Sequence, residues 1–169
     1  VSPRMSGGHA MIAAARANGT QVVFGVPGAQ IYPLFDALHD HGVRLIVPRH
    51  EQAAGYMAMG YAKTTAASGV CAVVPGPGVL NTAAALCTAM GNCSPVVCLT
   101  GQVPSDFLGS GRGHLHELRD QPGTLRSIIK DALRIDTTEQ AVHVVHEAFA
   151  LARCGRPGPV AVEMCWDAM

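Results

Sequence analysis

One carboxylate stands out by its position. Glu51 follows His50 at a strand-to-helix junction and precedes Gln52-Ala53-Ala54-Gly55-Tyr56-Met57-Ala58-Met59-Gly60, with no further acid before Asp106. An acid in apolar surroundings is pushed toward its neutral form by desolvation, which suits general acid–base work near neutral pH. A helix N-terminus favours the anion instead, so the direction of the shift stays open, and an ordinary helix start would carry such a Glu equally well. His114 and His116 lie in a glycine-punctuated stretch. Their imidazoles titrate near neutrality and fit proton transfer or substrate contact as well as a solvated loop surface. His143 and His146 are spaced i, i+3, but no carboxylate or Cys completes a metal site around them.

Several common signatures are excluded. Gly76-Pro77-Gly78-Val79-Leu80-Asn81 misses the last glycine of G-x-G-x-x-G, and no phosphate-binding G-x-x-x-x-G-K-[ST] occurs. His50-Glu51 and His116-Glu117 each begin like H-E-x-x-H and lack the second His, and there is no G-x-S-x-G elbow. The 6 Cys form no C-x-x-C pair, and several fall in apolar runs such as Val70-Cys71-Ala72-Val73-Val74. That pattern fits reduced, buried thiols in a cytoplasmic protein rather than a disulfide frame or zinc site.

The elements that must position these residues alternate. Helical periodicity over Gly8–Asn18, Ile31–His39, Glu51–Lys63, Leu80–Met90 and Thr138–Arg153 is interleaved with apolar strand-like runs. The runs are Gln21–Gly25, Val43–Val47, Val70–Val74, Pro95–Leu99, Ile128–Ile135 and Pro159–Val162. Small residues in Glu51–Lys63 permit close packing on another helix, and Gly101–Gly123 reads as one long loop. The alternation predicts an α/β domain of three layers, α/β/α, around a mainly parallel sheet of about six strands. Ligands in such folds gather at the carboxyl ends of the strands. That edge holds the loops Val26–Gln30, Pro48–Glu51, Pro75–Gly78 and Gly101–Gln121.

The 169 residues read as one domain, with 12 basic and 12 acidic side chains and no net charge. This excludes the basic footprint of a nucleic-acid binder. Charged residues are only 14% of the chain, against ~25% in ordinary soluble domains. None occurs between Lys63 and Asp106, where prolines, glycines and asparagines break up any membrane span. The deficit predicts burial against partners. Val1–Met5 lacks the apolar segment of a leader, and its non-Met start leans toward excision from a longer chain.

Three groups of residues together resemble a known family. Phe24-Gly25-Val26-Pro27-Gly28, then His50-Glu51-Gln52-Ala53-Ala54-Gly55-Tyr56, then Pro75-Gly76-Pro77-Gly78 with Asn81 are similar to the pyrimidine-binding domain of thiamine diphosphate enzymes. The branch is that of acetolactate synthase and the 2-oxo acid decarboxylases. Gly155–Glu163 looks like the segment closing that domain, so the likeness runs from about Met5 to Asp167.

The resemblance implies a role for each motif. Glu51 would hydrogen-bond N1′ of the aminopyrimidine and favour the 4′-imino tautomer that deprotonates the thiazolium, which then attacks a 2-oxo acid such as pyruvate and serves as electron sink for decarboxylation. Pro27 and Gly28 would let backbone approach the cofactor, with Ala29 and Gln30 on the substrate side, and Gly76 and Asn81 would lie near the pyrimidine. Leu115-His116-Glu117 stands where acetolactate synthases carry Phe-Gln-Glu, Lys130 falls one residue beyond a lysine of theirs, and pyruvate decarboxylases place adjacent histidines near His114 and His116. The resemblance implies carboligation of the acetolactate type, with simple decarboxylation or a non-catalytic assembly module as alternatives. Diphosphate and Mg²⁺ would be held by a second domain, of the same or a neighbouring chain, carrying a Gly-Asp-Gly absent here. The chain alone is thus expected to be inactive, its enzyme a homo-oligomer, dimer or tetramer, and FAD a further cofactor only outside these residues.

Overall fold

The computed structural model describes residues 5–169, so the leader reading of Val1–Arg4 lies outside the described residues. Six parallel strands form one sheet in the order β2-β1-β3-β4-β6-β5: β1 Val22–Gly25, β2 Arg44–Ile46, β3 Gly69–Val73, β4 Val96–Gln102, β5 Asp131–Ile135 and β6 Val160–Cys165. The helices are α1 Gly7–Ala17, α2 Tyr32–Asp40, α3 Glu51–Thr64, α4 Pro77–Gly91, α5 Gln121–Arg126 and α6 Ala141–Arg153. The three-layer α/β architecture expected from the alternation is the one observed.

Both sheet faces are covered, so the central strands are buried at every position. Alternation along β3 and β4 sorts their side chains into two cores. Val70, Ala72, Val97 and Leu99 pack with Met11 and Ile12 of α1 and Phe149 of α6. Cys71, Val73 and Cys98 face Ala54 and Ala58 of α3 and Leu86 and Ala89 of α4. The small residues of α3 do what their spacing predicts: a Cβ placed on Gly55 would stand 2.7 Å from Ala85 Cβ and 3.0 Å from Thr82 Cγ2 of α4.

The differences from expectation lie at the carboxyl edge. Helix α4 starts at Pro77 rather than Leu80, because proline fits the first helical turn and Gly76 takes φ +60° as its N-cap. Strand β4 continues through Gly101 and Gln102, paired with Met164 and Cys165, into the stretch expected to be loop. The far end of that stretch holds α5, capped by Asp120 accepting the Gly123 N–H. Ile128 and Ile129 precede the strand they were expected to join, and a 3₁₀ turn, Thr138–Gln140, leads into α6.

Candidate functional site

Glu51 opens α3, the residue after an N-cap, His50, whose ring Nδ1 accepts the Gln52 N–H at 3.1 Å. Its carboxylate is half-buried and spans two helices, Oε2 accepting from Asn81 Nδ2 of α4 at 2.9 Å. Thr82 Oγ1 donates to the Glu51 carbonyl at 3.5 Å and to Gly78 O at 2.8 Å. Glu51 and Asn81, each expected at the cofactor, are therefore in direct contact with one another. Among the described residues Oε1 takes no hydrogen bond, which leaves one carboxylate oxygen available to a ligand.

The β1–α2 turn ends beside β3 and β4. Pro27 is exposed, and Ala29 and Gly28 are half-buried, Gly28 so close to Val74 that a Cβ would lie 2.6 Å from its Cγ1. Gln30, expected on the substrate side, is 2% exposed, with φ +68°. Its amide is spent on the long loop: Nε2 donates to Leu115 O at 3.0 Å and Oε1 faces His116 Nδ1 at 3.1 Å. A carbonyl only accepts, so the Leu115 bond fixes the amide orientation, and Nδ1 of His116 must carry a proton toward Oε1.

The loop brings the two histidines into different settings. His116 is half-buried with φ +64°, its carbonyl against Gly76. The His114 ring stacks on Phe107 at 4.4 Å and 16°, and the His114 backbone N–H donates to Glu117 Oε2 at 2.9 Å. Glu117 also accepts the Gly111 N–H at 2.8 Å and the Ser110 hydroxyl at 3.3 Å. These bonds, the His114 N–H first, hold its carboxyl below the usual Glu range, so the residue aligned with a family acid staples the loop. Lys130 departs from its resemblance too. It precedes β5, at the amino edge of the sheet, and its Nζ donates to the carbonyls of Leu151 and Cys154, both at 2.6 Å, and Arg156 at 3.0 Å, capping α6.

Beneath the loop lies a polar cluster that the motif reading missed. Glu163 of β6 is 2% exposed, with Arg134 Nε donating to its Oε1 at 2.6 Å. Gln121 Nε2 and Gln102 Nε2 donate to its Oε2 at 2.7 and 3.3 Å. Burial pushes the Glu163 carboxyl above the ordinary Glu value, against the opposing pull of Arg134 and the two amides. The available signal was an acid inside the otherwise apolar strand Val160–Cys165. No group of three or more His, Cys, Asp or Glu that could hold a metal occurs among the described residues, His143 and His146 included.

A parallel sheet flanked by helices, with an acid at a helix start beside its carboxyl edge, defines an α/β ligand-binding domain. The chain belongs to the thiamine pyrophosphate enzymes: residues 5–124 match the family described as thiamine pyrophosphate enzyme, N-terminal TPP binding domain. It is 39% identical over 163 residues to the acetolactate synthase isozyme 2 large subunit of Escherichia coli K12, covering 96% of this chain and 29% of that protein. A probable acetolactate synthase large subunit of Methanocaldococcus jannaschii is 38% identical over 96% of this chain and 27% of its own length. A probable 2-ketoarginine decarboxylase of Pseudomonas aeruginosa is 34% identical over 98% of this chain and 30% of its length. The chain thus spans less than a third of the relatives it matches.

Proposed function

We propose that this chain supplies the pyrimidine-binding, cofactor-activating half of a thiamine diphosphate-dependent enzyme that decarboxylates a 2-oxo acid such as pyruvate, with carboligation of the acetolactate type. The observation that carries the reading is Glu51, held by Asn81 through one oxygen with the other available. A carboxylate oxygen so placed fits a ring nitrogen of an aminopyrimidine, the hydrogen-bonding partner that the donor set leaves room for. When bound, thiamine diphosphate would supply an electron sink for the pair left on the substrate's former carbonyl carbon as carbon dioxide departs. Glu51 holds a proton on the pyrimidine nitrogen, and Asn81 keeps the acid from rotating away. Half-burial of Glu51 limits competing water. Gly28 and Gly76 let the Val74 side chain and the His116 carbonyl pack against the turns that would flank the ring, and His116 stands on the substrate side. Simple decarboxylation is the second reading, favoured by the likeness to a probable 2-ketoarginine decarboxylase.

Mg²⁺ and the diphosphate belong, on this reading, to another domain, since the chain has no Gly-Asp-Gly. That domain, in the same or a neighbouring chain, would cover Tyr56, Met57 and Leu80, which are 38%, 41% and 48% exposed on α3 and α4. The enzyme is then a homo-oligomer working in the cytoplasm. The test is Glu51→Gln in the complete gene product: turnover drops by about 100-fold or more while assembly is kept. Unchanged turnover would overturn the role of Glu51, and a parent protein without turnover whose assembly is kept in Glu51→Gln would favour a non-catalytic module.

A further inference from the structure

Gln121 is buried, 1% exposed, and every polar atom of its amide is engaged. Oε1 accepts the Gly76 N–H at 2.9 Å, while Nε2 donates to Gly101 O at 3.2 Å and to Glu163 Oε2 at 2.7 Å. A backbone N–H only donates and a carbonyl only accepts, so the amide can be seated one way. The contacts continue from Gly76 and return to Gly101. Gly76, at φ +60°, leaves no room for a Cβ because the His116 carbonyl lies against it. His116 Nδ1 meets Gln30 Oε1 at 3.1 Å. The Gln30 carbonyl in turn fills the space where a Cβ on Gly101 would stand, and Gly101 O accepts from Gln121. The ring runs Gln121–Gly76–His116–Gln30–Gly101 and closes on itself.

We infer that Gln121 is a positioning residue, whose amide ties the buried acid of the Arg134–Glu163 ion pair to the turn that starts α4 and so holds both His116 and the Glu51–Asn81 contact in place. Gly76 has no side-chain cap of its own for α4; the Gln121 amide fixes the turn from outside the helix. Asn81 sits on the first turns of that helix, and its amide reaches Glu51. A displacement of Gly76 therefore reaches the acid through α4 and reaches His116 directly. One wall of a cavity of about 270 Å³ beneath the loop is formed by Gln102, Gln121 and Arg134, which gives this corner space to relax if the amide is lost. The catalytic consequence rests on the function proposed for Glu51; the ring itself does not.

The experiment compares Gln121→Met, of similar volume and without polar groups, with the exchange Gln121→Glu plus Glu163→Gln, which keeps an acceptor for Gly76 and a donor–acceptor pair between the two side chains. Amide hydrogen exchange is read in the complete protein without cofactor, and turnover in the cofactor-loaded enzyme. In Gln121→Met, exchange at Gly76 rises about tenfold or more while Val97 and Cys98 in β4 keep their protection. Its kcat falls about tenfold with KM for the oxo acid within about twofold, because positioning and not substrate binding is lost. The exchanged pair retains Gly76 protection and loses less kcat. Should Gln121→Met fail to fold, Gln121→Ala, with room for water, carries the same comparison. Unchanged exchange at Gly76, an even rise across the whole sheet, or an exchanged pair as unprotected at Gly76 as Gln121→Met would overturn the inference. A silent Glu51→Gln would overturn the proposed function and leave the exchange result standing.

Discussion

At Glu51 two elements meet on one carboxylate, α3 supplying the acid and α4 the amide that holds it. On the proposed reading, Asn81→Ala leaves the acid in place but free to swing, so turnover falls about tenfold, well short of the loss in Glu51→Gln; steady-state rates of the two variants check the ranking. Glu117 offers a separate pH test. Its carboxyl is lowered by loop N–H bonds, so the stability it gives the loop is present above the ordinary Glu value and is lost as pH falls through the lowered one. Protection factors at the His114 and Gly111 amides, taken against the intrinsic exchange rate at each pH, therefore fall on acidification and are already low at neutral pH in Glu117→Ala. Glu163 has the opposite sign. Its raised carboxyl contributes most below the ordinary Glu value of 4.5, and that contribution is lost as pH rises through the raised one. Denaturant titrations should show this slope in the parent protein and not in Glu163→Gln.

At the scale of elements, the α3–α4 contact both closes one core and aligns the acid with its amide. Gly55→Leu forces α3 away from Ala85 and Thr82, and overpacking of this kind costs about 1–3 kcal/mol. Urea unfolding measures that loss, and a drop in turnover exceeding it in proportion would report the displaced Glu51–Asn81 pair. The strands and helices were legible in the sequence because each carries its own period and punctuation: Val70–Val74 reads as buried strand whatever lies beside it. The start of α3 and its small-residue face were legible for the same reason. The stretch from Gly101 to Gly123 was not. Its order comes from partners distant in sequence: Gln30 for His116 and Leu115, Glu163 for Gln121, and Met164 and Cys165 for the extension of β4. A local pattern cannot announce such bonds. Gln30 and Lys130 show the same limit, since a polar side chain looks alike in sequence whether it faces a ligand or satisfies a carbonyl.

For the molecule as a whole, two cores on either side of one parallel sheet support the carboxyl edge. Leu99 is fully buried in the middle strand β4, and Leu99→Ala should cost about 2–5 kcal/mol by unfolding, through lost transfer energy and the cavity left behind. Glu51 belongs to an edge rather than an enclosed chamber, and on the proposed reading another domain closes it. The measurement that bears most directly on this account is carbon dioxide release from a panel of 2-oxo acids, pyruvate first, by the complete gene product with and without thiamine diphosphate and Mg²⁺. The account predicts release that requires the cofactor and is lost in Glu51→Gln, with a 2-hydroxy-ketone product for carboligation or an aldehyde for simple decarboxylation. No release across the panel from folded, cofactor-saturated protein, or release that survives Glu51→Gln unchanged, would contradict it.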